Sequence, residues 1–166
     1  LDRVEGNILH VRGLDAISGT PVIDIKPYLE NDIISSPRTP YIKGRTLEMR
    51  RELLYRQTYS HHQEECIDLH IAARMASIAE EHLGKIHEPD LLLTVSGSLC
   101  LGDCLQGVTR ARLSNPPRFS FKESDVLESV WKKNDKELRI IWKEDITDID
   151  VIKEKSDTDL FDIIFK

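Results

Sequence analysis

The side chains best suited to chemistry lie in three short stretches. In His61-His62-Gln63-Glu64-Glu65-Cys66 an imidazole and a thiol stand four positions apart, a spacing that puts both on one face of a helix. Glu64 comes within reach if that turn is frayed. Imidazole, thiolate and carboxylate all ligate transition metals, and Zn²⁺ accepts all three. A helix N-terminus also favours the thiolate of a cysteine placed there. The second stretch, Ser98-Leu99-Cys100-Leu101-Gly102-Asp103-Cys104, follows an apolar run. A loop that leaves a strand and opens a helix can bring Cys100 and Asp103 to one point in space. The third is Asp24 and Lys26, which alternate with Ile23 and Ile25, so that the charged pair projects to one side of a strand.

Each of these has an ordinary alternative. A cysteine outside a CxxC pair is more often a small buried hydrophobe than a ligand. Cys104, between Asp103 and Leu105 on a helix, reads as core, and His70, His82 and His87 read as surface or hydrogen-bonded histidines. Asp24 and Lys26 are equally well explained as a salt bridge that closes a sheet.

The elements that must position these groups follow from hydrophobic period. Residues 4–13 alternate as a strand pair with Glu5-Gly6-Asn7 at the turn. Residues 14–21 form a turn, and Val22, Ile23 and Ile25 a short strand ended by Pro27. Ser35, Ser36, Pro37, Thr39 and Pro40 make residues 31–40 the best linker. The expected organisation is residues 1–32, a linker over 33–44, and residues 45–166. A polar helix is expected over residues 46–59. A stronger one spans 62–83, where Ile67, Ile71, Met75 and Ile78 recur at helical steps and Gly84 stops the run. Then come a strand over 91–95, a short helix over 101–109 and a turn at Asn115-Pro116-Pro117. Strands follow over 119–121, 127–131 and 138–142, the last two joined at Asn134-Asp135, and an apolar tail covers 160–165. This order predicts an α+β fold, with helices on one antiparallel sheet.

Composition narrows the function classes. The 166 residues carry 23 Lys plus Arg against 29 Asp plus Glu, a formal charge of −6, and 40% are hydrophobic. That suffices for a core and is too apolar for a disordered chain. No run approaches the roughly 18 apolar residues of a membrane span, and the first residues lack the apolar segment of a signal peptide. Three cysteines make no disulfide framework and suit a reducing compartment, so a cytoplasmic location with no membrane partner is expected. Acidic stretches alternate with two basic ones, and an acidic total argues against a general nucleic-acid coat. The basic residues from Arg38 to Arg56 are read as a solvated helix face, with phosphate contact as the alternative. No Gly-rich phosphate loop, nucleophile elbow or HExxH motif is present.

Two resemblances add to this reading. Residues 62–121 resemble the FmdE family, named after one of the subunits of formylmethanofuran dehydrogenase. Its His-Gly-His-x-Cys-Pro-Gly opening aligns with His62 to Asp68 and is followed in register by Arg74-Met75-Ala76. Its Cys-x-x-Asp-x-x-Gln-x-x-Thr-Gly motif aligns with Cys100, Asp103, Gln106 and Thr109, with Arg110 for the glycine. Glu64 replaces the second histidine and Ile67-Asp68 the Pro-Gly pair, and no C-terminal cysteine pairs follow. The resemblance implies an α+β domain that commonly pairs as a homodimer and binds zinc or another transition metal, here through His62, Glu64, Cys66 and Cys100.

Residues 5–28 resemble the TrmO (TsaA) family in Glu5-Gly6-Asn7, Val11 to Ala16 and the string from Gly19-Thr20-Pro21 to Pro27-Tyr28. Those enzymes are β-barrel methyltransferases that use S-adenosylmethionine to methylate N6 of threonylcarbamoyladenosine in tRNA. By this likeness Asp24 and Lys26 belong to the cofactor-binding part of the barrel. The expected whole is therefore a small β-barrel remnant followed by an FmdE-like helix-plus-antiparallel-sheet domain, in a fragment that does not itself methylate tRNA. Two alternatives stay open at this point. One is a metal-binding accessory module of one-carbon or molybdenum/tungsten metabolism without methyltransferase activity. The other is an interaction domain whose motifs have decayed.

Overall fold

The computed structural model describes residues 1–14, 16–23, 25, 46–143, 146 and 148–166. The expected linker, and with it Asp24 and Lys26, lies outside the described residues. At the amino terminus β1 (Arg3–Glu5) and β2 (Ile8–His10) form an antiparallel hairpin around Gly6-Asn7, with Val4 opposite Leu9. Gly6 has φ +58°, a conformation that glycine supplies without strain. Arg12 closes the base of the hairpin with a forked contact to Asp2 at 2.9–3.1 Å. The strand expected at Val22, Ile23 and Ile25 is corrected: the described residues there are not in a strand and are exposed. Among the described residues no strand pairs with this segment, and without a hydrogen-bonded neighbour its alternation has no sheet to join.

The larger part of the chain contains α1 (Leu47–His62), α2 (Ile67–Leu83), β3 (Leu91–Gly97), α3 (Leu99–Thr109), β4 (Phe119–Glu123), β5 (Glu128–Lys133) and β6 (Lys136–Trp142). It ends with α4 (Ile149–Glu154), α5 (Asp157–Leu160) and β7 (Phe161–Phe165). Helices and strands thus occur together, as an α+β fold requires. The sheet order is β4-β3-β5-β6-β7. An all-antiparallel sheet was expected, and the structure corrects this, because β4 runs parallel to β3. The reason is α3, which carries the chain back over the sheet before β4 begins, so the two strands point the same way. The hairpin at Asn134-Asp135 matches expectation, with Lys133 opposite Lys136.

One face of the sheet supplies the core. Along β3 the residues Leu91, Leu93 and Val95 are buried while Leu92 and Thr94 are exposed, the alternation of a strand covered on one side only. Trp131, Leu138 and Ile140 continue that buried face across β5 and β6. Against it pack α2 and α3. On α2, Ile71, Met75 and Ile78 are buried with Ala72, Ala76 and Ala79, as their period predicts. The helix stops where Gly84, at φ +76°, donates its N–H to the Glu80 carbonyl at 3.0 Å. α1 lies against α2 and α3 and buries Leu54, Gln57 and Thr58. Its cationic side chains are paired: Arg50 with Glu81, Arg51 with Asp157 and Arg56 with Glu52. The basic helix face is thereby neutralised.

Candidate metal centre

The helix expected from residue 62 begins only at Ile67, and His62 instead closes the preceding helix, so the break between the two makes the corner of the site. α1 ends at His62, where Gln63 takes the left-handed conformation (φ 59°) and returns its N–H to the Tyr59 carbonyl at 2.7 Å. α2 begins only at Ile67, with Cys66 as the residue capping its start. His62 and Cys66 therefore do not share a helix face. They meet across a tight corner, with the Cys66 sulfur 3.4 Å from His62 Nε2.

Glu65 holds that corner. The Tyr55 hydroxyl donates to one of its oxygens at 2.5 Å and His70 Nε2 contacts the other at 2.7 Å, while the two rings stack 5.1 Å apart. The carboxylate thus ties α1 to α2. These two donors hold Glu65 below the usual carboxylate range. Burial, reinforced by the bond to Glu65, pushes the Tyr55 hydroxyl up to about 12. His70 is accordingly a buried, hydrogen-bonded histidine, as its ordinary reading held. No spacing rule distinguishes Glu64 from Glu65; only the fold shows which of the two exposed acids reaches Tyr55 and His70.

The third element is α3. Ser98 caps it, accepting from the Leu101 N–H at 3.0 Å and donating from the same hydroxyl to Asp68 of α2. This places Cys100 in the first turn. Ligand atoms of His62, Cys66 and Cys100 all lie within 4.8 Å of one another, and among the described residues they are the one such group of His, Cys, Asp or Glu. Glu64, the fourth residue expected here, is exposed and is not among the three. Cys104 is buried in the core, and burial pushes its thiol up.

Asp103, one turn along α3, completes the arrangement. Its carboxylate contacts His62 Nδ1 at 2.7 Å and His61 Nε2 at 3.3 Å. An ionised carboxylate only accepts, so Nδ1 of His62 carries the proton and Nε2 presents its lone pair toward Cys66. A carboxylate behind the imidazole is the arrangement that orients ligand histidines at metal centres. The close approach of α1 to α3 depends on Gly107. A Cβ there would stand 2.1 Å from the His61 ring and 2.8 Å from its Cβ. At Cys66 two effects oppose each other. Burial raises the thiol pKa, with the nearby Cys100 adding to it, and the backbone N–H groups at the start of α2 lower it. Burial prevails, so the helix terminus alone does not activate this cysteine.

The donor set suits a borderline-soft divalent ion. With Zn–S near 2.3 Å and Zn–N near 2.0 Å, a tetrahedral site spaces its ligand atoms roughly 3.3–3.8 Å apart. The His62–Cys66 pair is at that spacing already, and three protein ligands leave a fourth position open.

Likeness to known proteins begins at the other end of the chain. Residues 1–32 match the family model of the tRNA-methyltransferase O N-terminal domain. A protein of Archaeoglobus fulgidus named "Probable S-adenosyl-L-methionine-binding protein" is 31% identical over 118 residues, covering 67% of this chain and 32% of that protein. Residues 1–32 are too few to hold a match of that length, so the likeness extends well into the remainder of the chain. A protein of the same name from Methanothermobacter thermautotrophicus is 73% identical over 26 residues, 16% of this chain and 19% of that one. The human tRNA (adenine(37)-N6)-methyltransferase is 55% identical over 29 residues, 18% of this chain and 7% of that enzyme. The chain thus spans about a third of the length of the Archaeoglobus protein, and less of the other two. No described helix is long and apolar enough to cross a membrane.

Proposed function

We propose that residues 45–166 form an FmdE-like domain that holds a transition metal, zinc first among the candidates, through His62, Cys66 and Cys100. The observation that carries this reading is the convergence within 4.8 Å of three ligand atoms, from the end of α1, the cap of α2 and the first turn of α3, with Asp103 behind the histidine. A chance grouping of half-buried thiols needs no carboxylate aimed at the far side of the imidazole. Two features support the family reading. Gln63, which stands where the FmdE opening motif has glycine, has a left-handed backbone. Asp103, from the second FmdE-like motif, contacts His62 from the first. Glu64, exposed in the corner, is a fourth ligand only if that turn rearranges. A metal at this site would act as a Lewis acid toward a group in its open position. The protein's own residues fix the imidazole tautomer, hold the corner through Glu65 and supply two thiols.

Metal analysis of the purified protein tests this reading. One equivalent of zinc is expected, reduced sharply in both Cys66→Ser and Cys100→Ser. Unchanged metal content in both variants would refute it.

For residues 1–32, the family match and the named relatives support a second part of the proposal. The parent protein is an S-adenosylmethionine-dependent methyltransferase acting on N6 of an adenosine in tRNA, and the metal domain is fused behind its barrel. Asp24 and Lys26 are then cofactor-binding residues of that barrel. The present chain, holding 32 residues of the domain, is expected to bind S-adenosylmethionine weakly or not at all in calorimetry. The likeness to the Archaeoglobus protein over 67% of the chain favours a fused domain over a free-standing accessory protein.

A further inference from the structure

Beside the cysteine cluster lies a cavity of about 410 Å³ that the metal reading leaves unexplained. That volume falls within the roughly 300–1,000 Å³ of small-molecule sites. Cys66 forms part of its wall, so the cavity adjoins the residue whose sulfur faces His62. Leu127, Trp142 and Ile146 give it apolar sides. Its ionisable groups besides Cys66 are the carboxylates Asp68 and Asp125, and no basic side chain lines it among the described residues. Asp68 is held in place by the Ser98 hydroxyl that also caps α3. A hollow whose lining joins two carboxylates and an indole to apolar side chains selects for charge as well as shape. Apolar surface favours a hydrocarbon or aromatic body. Two carboxylates with no basic group in the same lining favour a cation and repel an anion, and tryptophan is the side chain that best accepts a cation against its π face.

We propose that this cavity is a binding site for a small organic amine, with an apolar or aromatic body against Leu127, Trp142 and Ile146 and its ammonium group drawn to the carboxylates of the lining, Asp68 and Asp125. The proposal deepens the metal-centre reading, because Cys66 belongs to both sites and an amine-bearing molecule seated here lies next to the cluster. It names the substrate class of that centre.

The test is a pair of saturation-transfer NMR titrations at neutral pH, on the whole chain with and without one equivalent of zinc. The probes are 2-phenylethylammonium and 3-phenylpropanoate, matched in body and opposite in charge. The amine is expected to bind saturably, and the carboxylate at least about tenfold more weakly. Asp125→Asn, at an exposed position, is expected to keep the fold and weaken the amine by about the same factor. Asp68→Asn should weaken it further, with a fold control by circular dichroism because Asp68 also accepts from Ser98. Equal binding of the two probes, amine binding indifferent to both substitutions, or no saturable amine binding in either metal state would each overturn the proposal. A failure of the metal reading shows separately, as absence of zinc uptake, whichever way the amine and the carboxylate compare.

Discussion

Between residues 1 and 25 the described apolar side chains lie open, with Leu1, Leu14, Ile17, Val22 and Ile23 all more than 70% exposed. Between residues 46 and 166 the comparable side chains Leu69, Leu91, Leu101, Leu105, Trp131 and Leu138 are completely buried. The first region has the more diagnostic sequence, a family match in 32 residues, and only a three-residue ladder of its own. The second has looser motifs and a continuous core. Within this chain the family-model match and the buried core thus fall on different residues. A string such as Gly19-Thr20-Pro21 identifies a family without folding anything by itself. Alternating Leu91, Leu93 and Val95 fold a sheet without identifying a family.

Amide hydrogen exchange should show this contrast at its largest. The hairpin β1–β2 is two-stranded and exposed, and such a unit is marginal in water. Its amides are expected to exchange close to unfolded-peptide rates, and those of β3, β5 and β6 several orders of magnitude more slowly. Protection in β1–β2 equal to that in β3 would break the comparison. The same truncation in the two regions should differ nearly as much. Leu93→Ala removes a side chain that is 2% exposed and is expected to cost about 2–5 kcal/mol in denaturant unfolding. Ile23→Ala, at 95% exposure, should stay within about 0.5 kcal/mol.

Two further variants separate packing from ligand orientation inside the second region. Gly107→Ala forces α1 away from α3, because the new methyl group meets the Cβ of His61 as well as its ring. About 1–3 kcal/mol of stability should be lost, and zinc binding should weaken with it, since His62 moves with α1. Asp103→Asn leaves the packing intact and disturbs the tautomer of His62. Metal affinity should fall about 10–100-fold in a competition titration with a chromophoric chelator, with stability of the metal-free protein changed by less than about 1 kcal/mol. If Asp103→Asn lost stability and kept affinity, the carboxylate would be a structural tie between helices.

The elements were legible where period and punctuation agree. α2 follows from Ile71, Met75 and Ile78 with Gly84 behind them, and the β5–β6 hairpin from two alternating runs around Asn134-Asp135. The mixed sheet was not legible, because strand direction depends on how α3 returns the chain and not on any residue within β4. His62, Cys66 and Cys100 were legible as ligand types, but helical spacing is not what brings them together. Four-residue spacing suggested a helix face, and the structure joins His62 to Cys66 through a break. Glu65 and Gly107 were invisible as supports, since their roles depend on which helices approach each other. Asp24 and Lys26 stand on the sequence alone.

The break at Gln63 offers the finest test of the comparison, because it is where family likeness and stability meet in one residue. A glutamine at φ 59° bears the Cβ–carbonyl clash that makes the left-handed region unfavourable for side-chain-bearing residues. The FmdE-like motif has glycine there, which adopts this conformation freely and commonly terminates helices in it. Gln63→Gly relieves the clash in the folded state but gives the unfolded chain more freedom to lose. The two effects oppose each other, and at positive φ the first prevails, so a gain of about 0.5–1 kcal/mol is expected in denaturant unfolding. The N–H of residue 63 still reaches the Tyr59 carbonyl after the change, so the corner and the His62–Cys66 approach should persist and zinc affinity should stay within about twofold. Destabilisation by Gln63→Gly would mean that the glutamine side chain contributes a contact that outweighs its backbone strain. In that case the departure from glycine would be a feature of this chain's own corner.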